Sequence, residues 1–272
     1  LYGGEGDDQL FDGAGSDAAV LGWGNDALNN PNNSLGISPN MGGEDVVFLV
    51  PNSVLTAYDS IGNNTLNFCL AASAITQANG ITFDLSLTQG LVGPGTVAVR
   101  QDVAPTSIQA DTHFVAALGH FSTLVGSNYG DWFTGASDAD VFGGRGADHF
   151  FTKSDMVNSY FDGGADADVL TARGVRVARI RFDGDDGRDQ LIVDDLAEIL
   201  DNLEFNGGND ADVLINRGRV SRVVFKGGSD ADILQNQRGR ISRIRFEGDE
   251  GIDQLINEEF ATIDWQVGDD PT

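Results

Sequence analysis

Apolar residues return along this chain at fixed intervals, separated by short runs of glycine and aspartate. Residues 3–29 divide into three nines: Gly3–Phe11, Asp12–Val20 and Leu21–Asn29. The eighth position of each is apolar: Leu10, Ala19 and Leu28. Glycine holds the second and fourth positions (Gly4 and Gly6, Gly13 and Gly15, Gly22 and Gly24), and Asp8, Asp17 and Asp26 hold the sixth. The last three residues of each nine read as a short strand with one apolar side chain facing a core. The first six read as a turn, in which glycine tolerates positive φ. Stacked units of this kind predict an all-β chain wound as a parallel β-helix, or β-roll solenoid. The next turn on the same edge lies 18 residues on, so Asp8 and Asp26 share one edge and Asp17 takes the other.

The carboxyl half carries a second rhythm. The nine-residue pattern returns at Gly130-Asp131-Trp132-Phe133 and at Asp138-Ala139-Asp140-Val141-Phe142. Gly143–Phe150 is a clean copy, with Gly144, Gly146 and Asp148 in the glycine and aspartate positions. From Phe161 the period lengthens to roughly 21 residues, in units opening at Phe161, Phe182, Phe205, Phe225 and Phe246. Three carry Gly-Gly-x-Asp-Ala-Asp, with Asp166 and Asp168, Asp210 and Asp212, and Asp230 and Asp232. Two carry Gly-Asp-x-Gly-x-Asp, ending in Asp189 and Asp253. Such a period suits one whole coil, so each coil has one aspartate turn, stacked along a single edge as Asp148, Asp168, Asp189, Asp212, Asp232 and Asp253. Aspartate tolerates the left-handed region better than most residues, so Asp in place of the fourth-position glycine keeps the turn. The opposite edge reads Arg173-Gly174, Arg217-Gly218 and Arg238-Gly239, or Asp194-Asp195 and Glu258-Glu259, and is expected to hold no metal.

Residues 30–124 lose the strict period, though Gly43–Phe48, with Asp45, keeps the second half of the nonapeptide. Asp59–Leu66 keeps it with Asn at the key position. Ile81–Leu87 alternates as a strand, and Gly93-Pro94-Gly95 marks a loop. We read this stretch as longer coils with expanded loops. The organisation is then 1–30 nonapeptide β-roll, 31–124 irregular coils, 125–160 nonapeptide-like coils and 161–272 five longer repeats, in one continuous solenoid.

Charge sharpens this picture. Acidic residues outnumber basic ones 42 to 16, for a formal charge of −26. A chain so charged repels itself when compact, yet 40% of it is hydrophobic, which argues for a folded chain neutralised by cations. Ca²⁺ takes six to eight oxygens, and the turns supply carbonyls and carboxylates. Nucleic acid is excluded as a partner by repulsion of phosphate. Cys69 is the sole cysteine, so no internal disulfide forms, and no apolar run is long enough to span a bilayer. Leu1 stands in mid-repeat without a leader, as expected of part of a longer chain. Eight arginines alternate with Val and Ile (Arg176, Arg179, Arg181, Arg219, Arg222, Arg240, Arg243 and Arg245) and should face outward. They serve either an anionic partner or lateral pairing with Glu198, Asp201, Glu204 and Glu258; the interleaving of basic and acidic coils favours pairing.

The nonapeptides Gly3–Asn29 and Gly143–Phe151 resemble the RTX, or hemolysin-type calcium-binding, repeat family. The 21-residue units look like variant repeats of very large bacterial surface proteins. The resemblance implies a right-handed parallel solenoid, Ca²⁺ at the turns and export from the cell, with Asp8, Asp17, Asp26 and Asp148 and their turn carbonyls as ligands. A structural or adhesive module, secreted or at the cell surface, is the expected function, folding as it binds Ca²⁺; its further partners would be surface glycans or proteins. No catalytic centre is expected. The alternatives are a polysaccharide-active enzyme, for which Asp111, His113, His120 and Arg100 are the only assembled candidates, and a carbohydrate-binding module using Trp23, Trp132 or Trp265.

Overall fold

The computed structural model describes residues 2–3, 9–11, 18–20, 27–29, 46–48, 55–67, 82–84, 96–102, 110–135, 137–258 and 262–263. Every regular element among them is a strand. The chain divides into two compact units, Leu1–Phe133 and Thr134–Thr272.

The first unit holds β1 (Gln9–Phe11), β2 (Ala18–Val20), β3 (Ala27–Asn29), β4 (Val46–Phe48), β5 (Leu55–Asn67), β6 (Thr82–Asp84), β7 (Thr96–Asp102) and β8 (Ala110–Val125). It also holds most of β9 (Trp132–Thr134). Strands β1 and β3 pair in parallel with Leu10 opposite Leu28, the 18-residue step of the nonapeptides. Strand β2 pairs with β4, and β3 and β4 with β5, again in parallel. The segment expected to keep a nonapeptide turn at Asp59–Leu66 lies within β5, and its pairing with β8 slips between Asp59 and Asn64. A correction falls on 82–125. There, β6 pairs with β7 and β7 with β8 in antiparallel fashion, so β6 and β7 are not solenoid coils, whereas β8 also pairs in parallel with β5 as a coil would. The physical reason is length: residues 103–109 alone join β7 to β8, and a parallel crossover needs about a dozen residues or more.

The second unit is a parallel β-solenoid. Its first sheet stacks β10 (Asp140–Arg145), β12 (Val157–Ala165), β14 (Ala178–Asp186), β16 (Glu198–Asn209), β18 (Arg219–Gly228) and β21 (Ile244–Asp249). Its second stacks β11 (His149–Phe151), β13 (Val169–Ala172), β15 (Gln190–Val193), β17 (Val213–Asn216), β19 (Ile233–Asn236) and β22 (Gln254–Asn257). A narrow third face joins the start of β16 and β18 to β20 (Arg240–Ile241) and β23 (Thr262–Ile263). Six coils result, each named here by its apolar residue in the first sheet: Val141, Phe161, Phe182, Phe205, Phe225 and Phe246. These residues pair in unbroken register.

That register explains the core. Phe161, Phe182, Phe205 and Phe225 are wholly buried. Phe182, Phe205, Phe225 and Phe246 form a continuous ring stack, with centroids 5.2, 4.8 and 5.2 Å apart. Leu170, Leu191, Leu214 and Leu234 line the second sheet, and Val177, Ile199, Val220 and Ile241 the third face. Each buried side chain of this size contributes about 1.5–3 kcal/mol. From each phenylalanine to its turn aspartate is a constant seven residues (161 to 168, 182 to 189, 205 to 212, 225 to 232, 246 to 253). Variation in coil length therefore falls on the other corners, including an irregularity between Ile199 and Asn202.

Candidate metal centre

Each coil passes from the first sheet to the second through a six-residue turn: Gly143–Asp148, Gly163–Asp168, Gly184–Asp189, Gly207–Asp212, Gly227–Asp232 and Gly248–Asp253. The second and fourth residues of every turn have positive φ. In the first turn both are glycines, Gly144 and Gly146. In the others one is glycine and the other aspartate: Gly164 with Asp166, Asp185 with Gly187, Gly208 with Asp210, Gly228 with Asp230, and Asp249 with Gly251. The two sequence variants are thus one backbone shape with the Asp exchanged between the two left-handed positions. Aspartate is among the few residues that visit this region routinely. Space supplies a second reason for glycine at the second position: a Cβ on Gly228 would lie 2.1 Å from the Gly208 carbonyl oxygen.

The sixth-position aspartates point inward. Asp148, Asp168, Asp189, Asp212 and Asp232 have no exposed surface. Each carboxylate from Asp168 onward reaches back one coil. The Asp148 amide donates to Asp168 Oδ1 at 2.7 Å, Asp168 to Asp189 at 2.8 Å, and Asp189 to Asp212 at 2.8 Å. Asp212 donates to Asp232 at 2.9 Å, and Asp232 to Asp253 at 3.0 Å. The second oxygen, Oδ2, of Asp168, Asp189, Asp212 and Asp232 is buried without a hydrogen-bond partner. It faces the first glycine of its own turn, where a Cβ would stand 2.3, 2.2, 2.0 and 1.9 Å away at Gly163, Gly184, Gly207 and Gly227.

A buried carboxylate with one unsatisfied oxygen resists ionisation. Desolvation is the main cause, opposed by the amide bond to Oδ1 and reinforced by neighbouring carboxylates. It pushes Asp168 and Asp212 up to about 8, and Asp189 and Asp232 up to about 6. The outer left-handed aspartate raises the carboxylate count, and Asp166 Oδ2 also accepts from the Gly146 amide at 3.2 Å. Orphaned carboxylate oxygens beside further acidic side chains suit a hard cation. Among the described residues no three His, Cys, Asp or Glu side chains are arranged to hold a metal by themselves. A Ca²⁺ ion at these turns would therefore take much of its shell from backbone carbonyls.

The other candidates divide. Asp131 is buried and accepts from the Ser127 amide at 2.7 Å and the Ser127 hydroxyl at 2.8 Å, so unlike the turn aspartates it is bonded within its own loop through both carboxylate oxygens. Asp140 departs from expectation. It lies exposed in β10 opposite Tyr160, not in an aspartate turn, because the repeat it belongs to falls on the corner where later coils carry Tyr160, Arg181 and Glu204. Gly4, Gly6, Asp8, Gly13, Gly15, Asp17, Gly22, Gly24, Asp26 and Asp45 lie outside the described residues.

Two features were not anticipated from sequence. Asp185 and Asp249 take left-handed positions, and the Gly-Asp-x-Gly spacing could have shown this. A ladder of asparagines, buried at Asn216 and Asn236 and exposed at Asn257, closes the opposite edge: Asn216 Nδ2 donates to Asn236 at 2.9 Å, and Asn236 Nδ2 to Asn257 at 2.8 Å. Its signal was the recurrence of Asn at the end of β17, β19 and β22. No family model and no curated protein matches the chain.

Proposed function

We propose that this chain is a calcium-binding repeat module of a secreted or cell-surface bacterial protein, structural or adhesive in role, that folds as it binds Ca²⁺ outside the cell. The observation that carries this reading is the column of buried turn aspartates, four of which, Asp168, Asp189, Asp212 and Asp232, hold one oxygen without a hydrogen-bond partner. Ionised, these groups are costly to bury alone; a cation beside them removes that cost, so that metal binding becomes folding free energy. The resemblance to RTX repeats and the charge of −26 support the same reading, since self-repulsion holds the chain open where calcium is scarce.

The test is a calcium titration followed by circular dichroism and calorimetry at neutral pH. β-sheet signal is expected to grow with Ca²⁺, to be lost in excess chelator, and to be restored poorly by Mg²⁺, which demands a smaller octahedral shell. Identical melting curves with Ca²⁺ and with chelator would sink the proposal.

A further inference from the structure

The two broad sheets of the second unit carry different outer faces. Residues pointing away from the core of the first sheet are charged in four of six coils. They are Asp140, Arg181, Glu204 and Arg245 in one column, and Asp162, Asp183, Lys226 and Glu247 in the next. The second sheet differs. One outward column runs His149, Val169, Gln190, Val213, Ile233 and Gln254. The next runs Phe151, Thr171, Ile192, Ile215, Gln235 and Ile256. The alternating burial of β13, β15, β17 and β19 shows that both columns face out. Neither holds an Asp, Glu, Lys or Arg, in a chain that is 21% charged. A third column follows at the strand ends: Lys153, Arg173, Asp194, Arg217, Gln237 and Glu258. It borders the same face, because the Arg173 guanidinium lies 4.2 Å over the Phe151 ring and Gln235 Nε2 donates to Glu258 at 2.6 Å. A broad uncharged stripe on so acidic a chain marks an interaction surface.

We propose that a second copy of this chain docks on this face, sheet on sheet, with its coils in reversed order. A twofold axis along the strands, between β15 and β17, sets β11 against the partner's β22, β13 against its β19 and β15 against its β17. The columns are complementary under that reversal. Val169 meets the partner's Ile233, Ile192 the partner's Ile215 and Phe151 the partner's Ile256. His149 meets the partner's Gln254, and Thr171 the partner's Gln235. Gln190 against the partner's Val213 is the one mixed pair. In the charged column, Lys153 meets the partner's Glu258, Asp194 the partner's Arg217 and Arg173 the partner's neutral Gln237, so no like charges fall together. Coils running the same way would instead set the two apolar columns against each other and mix polar with apolar in every coil but that of Val213 and Ile215. Six strands about 4.8 Å apart, and six residues from Ala167 to Arg173, give a face of about 29 by 20 Å. A pair then buries about 1,200 Å², the lower edge of specific interfaces. A single helix, about 10 Å across, would cover half that width. The turn aspartates of both copies lie on one side of the pair, so counter-ions there strengthen the association; the docking itself uses no metal.

The experiment is sedimentation velocity of the whole chain over a concentration series in calcium-containing buffer, with circular dichroism to confirm that each variant is folded. A monomer–dimer equilibrium is expected. Ile215→Lys puts a charge at the centre of the face and should leave monomer alone. Gln190→Lys, at an exposed position that tolerates the change in the monomer, should also weaken the dimer. Glu204→Gln, on the first sheet, should leave the equilibrium as in the parent. Lys153 and Glu258 stand five coils apart, about 24 Å along one chain, and meet only across the pair. K153E and E258K should each weaken association about tenfold, and K153E/E258K should restore it. The proposal fails if the chain stays monomeric throughout the series, if folded Ile215→Lys or Gln190→Lys dimerises like the parent, or if K153E/E258K associates no more tightly than either single variant.

Discussion

A single carboxylate shows how the turn is balanced. Asp212 Oδ1 is held by the Asp189 amide at 2.8 Å, while Oδ2 faces Gly207 with no partner. Asp212→Asn keeps the acceptor and removes the charge. Without calcium the variant should be more stable than the parent at pH 7, by about 1 kcal/mol, the order of a buried polar group's mismatch. With calcium it should be less stable, and its titration should shift to higher Ca²⁺. Paired thermal melts in chelator and in calcium check both signs; a variant weaker in both conditions would mean that Oδ2 serves packing alone. These aspartates were legible in the sequence because glycine and aspartate recur at fixed offsets. Their inward aim was not, since spacing does not say which carboxylate oxygen meets an amide from the coil before.

At the scale of elements, the phenylalanine stack and the turn form one rigid cassette. Phe205 lies between Phe182 and Phe225, with ring planes within 8° and 4° of parallel. Phe205→Ala should cost about 3–5 kcal/mol, and more than the same change at Phe246, which is only half-buried. Denaturant melts of the two variants test the order. The apolar rhythm made this sheet readable down to its register, and the outward alternation of the arginines with it. Lateral pairing, favoured from the interleaved charges, accounts for Arg179 with Asp201 and Lys226 with Glu204. The antiparallel strands β6–β8 were not readable, because alternation of apolar and polar residues is the same whichever way a neighbouring strand runs. The asparagine ladder escaped for another reason: an amide in a strand looks solvent-facing until the coil closes around it.

For the molecule as a whole, the turn aspartates tie stability to pH. In the unfolded chain their carboxyls lose protons near the ordinary value of about 3.9. In the metal-free fold Asp189 and Asp232 keep them to about 6, and Asp168 and Asp212 to about 8. The folded state therefore binds more protons across that window, and its stability falls as pH rises. Below about 4 both states are protonated and these groups no longer favour unfolding. In chelator, Tm is expected to be higher at pH 5 than at pH 8; calcium, which needs the ionised carboxylates, should restore stability most at pH 8. A chelator-treated Tm that climbs from pH 5 to pH 8 would contradict this.

The aspartate column also has an arrow. Every carboxylate from Asp168 to Asp253 takes the amide of the coil that precedes it in sequence, never of the one that follows. The two ends of the column therefore differ: a coil joined at the carboxyl end brings the acceptor, and one joined at the amino end brings the donor.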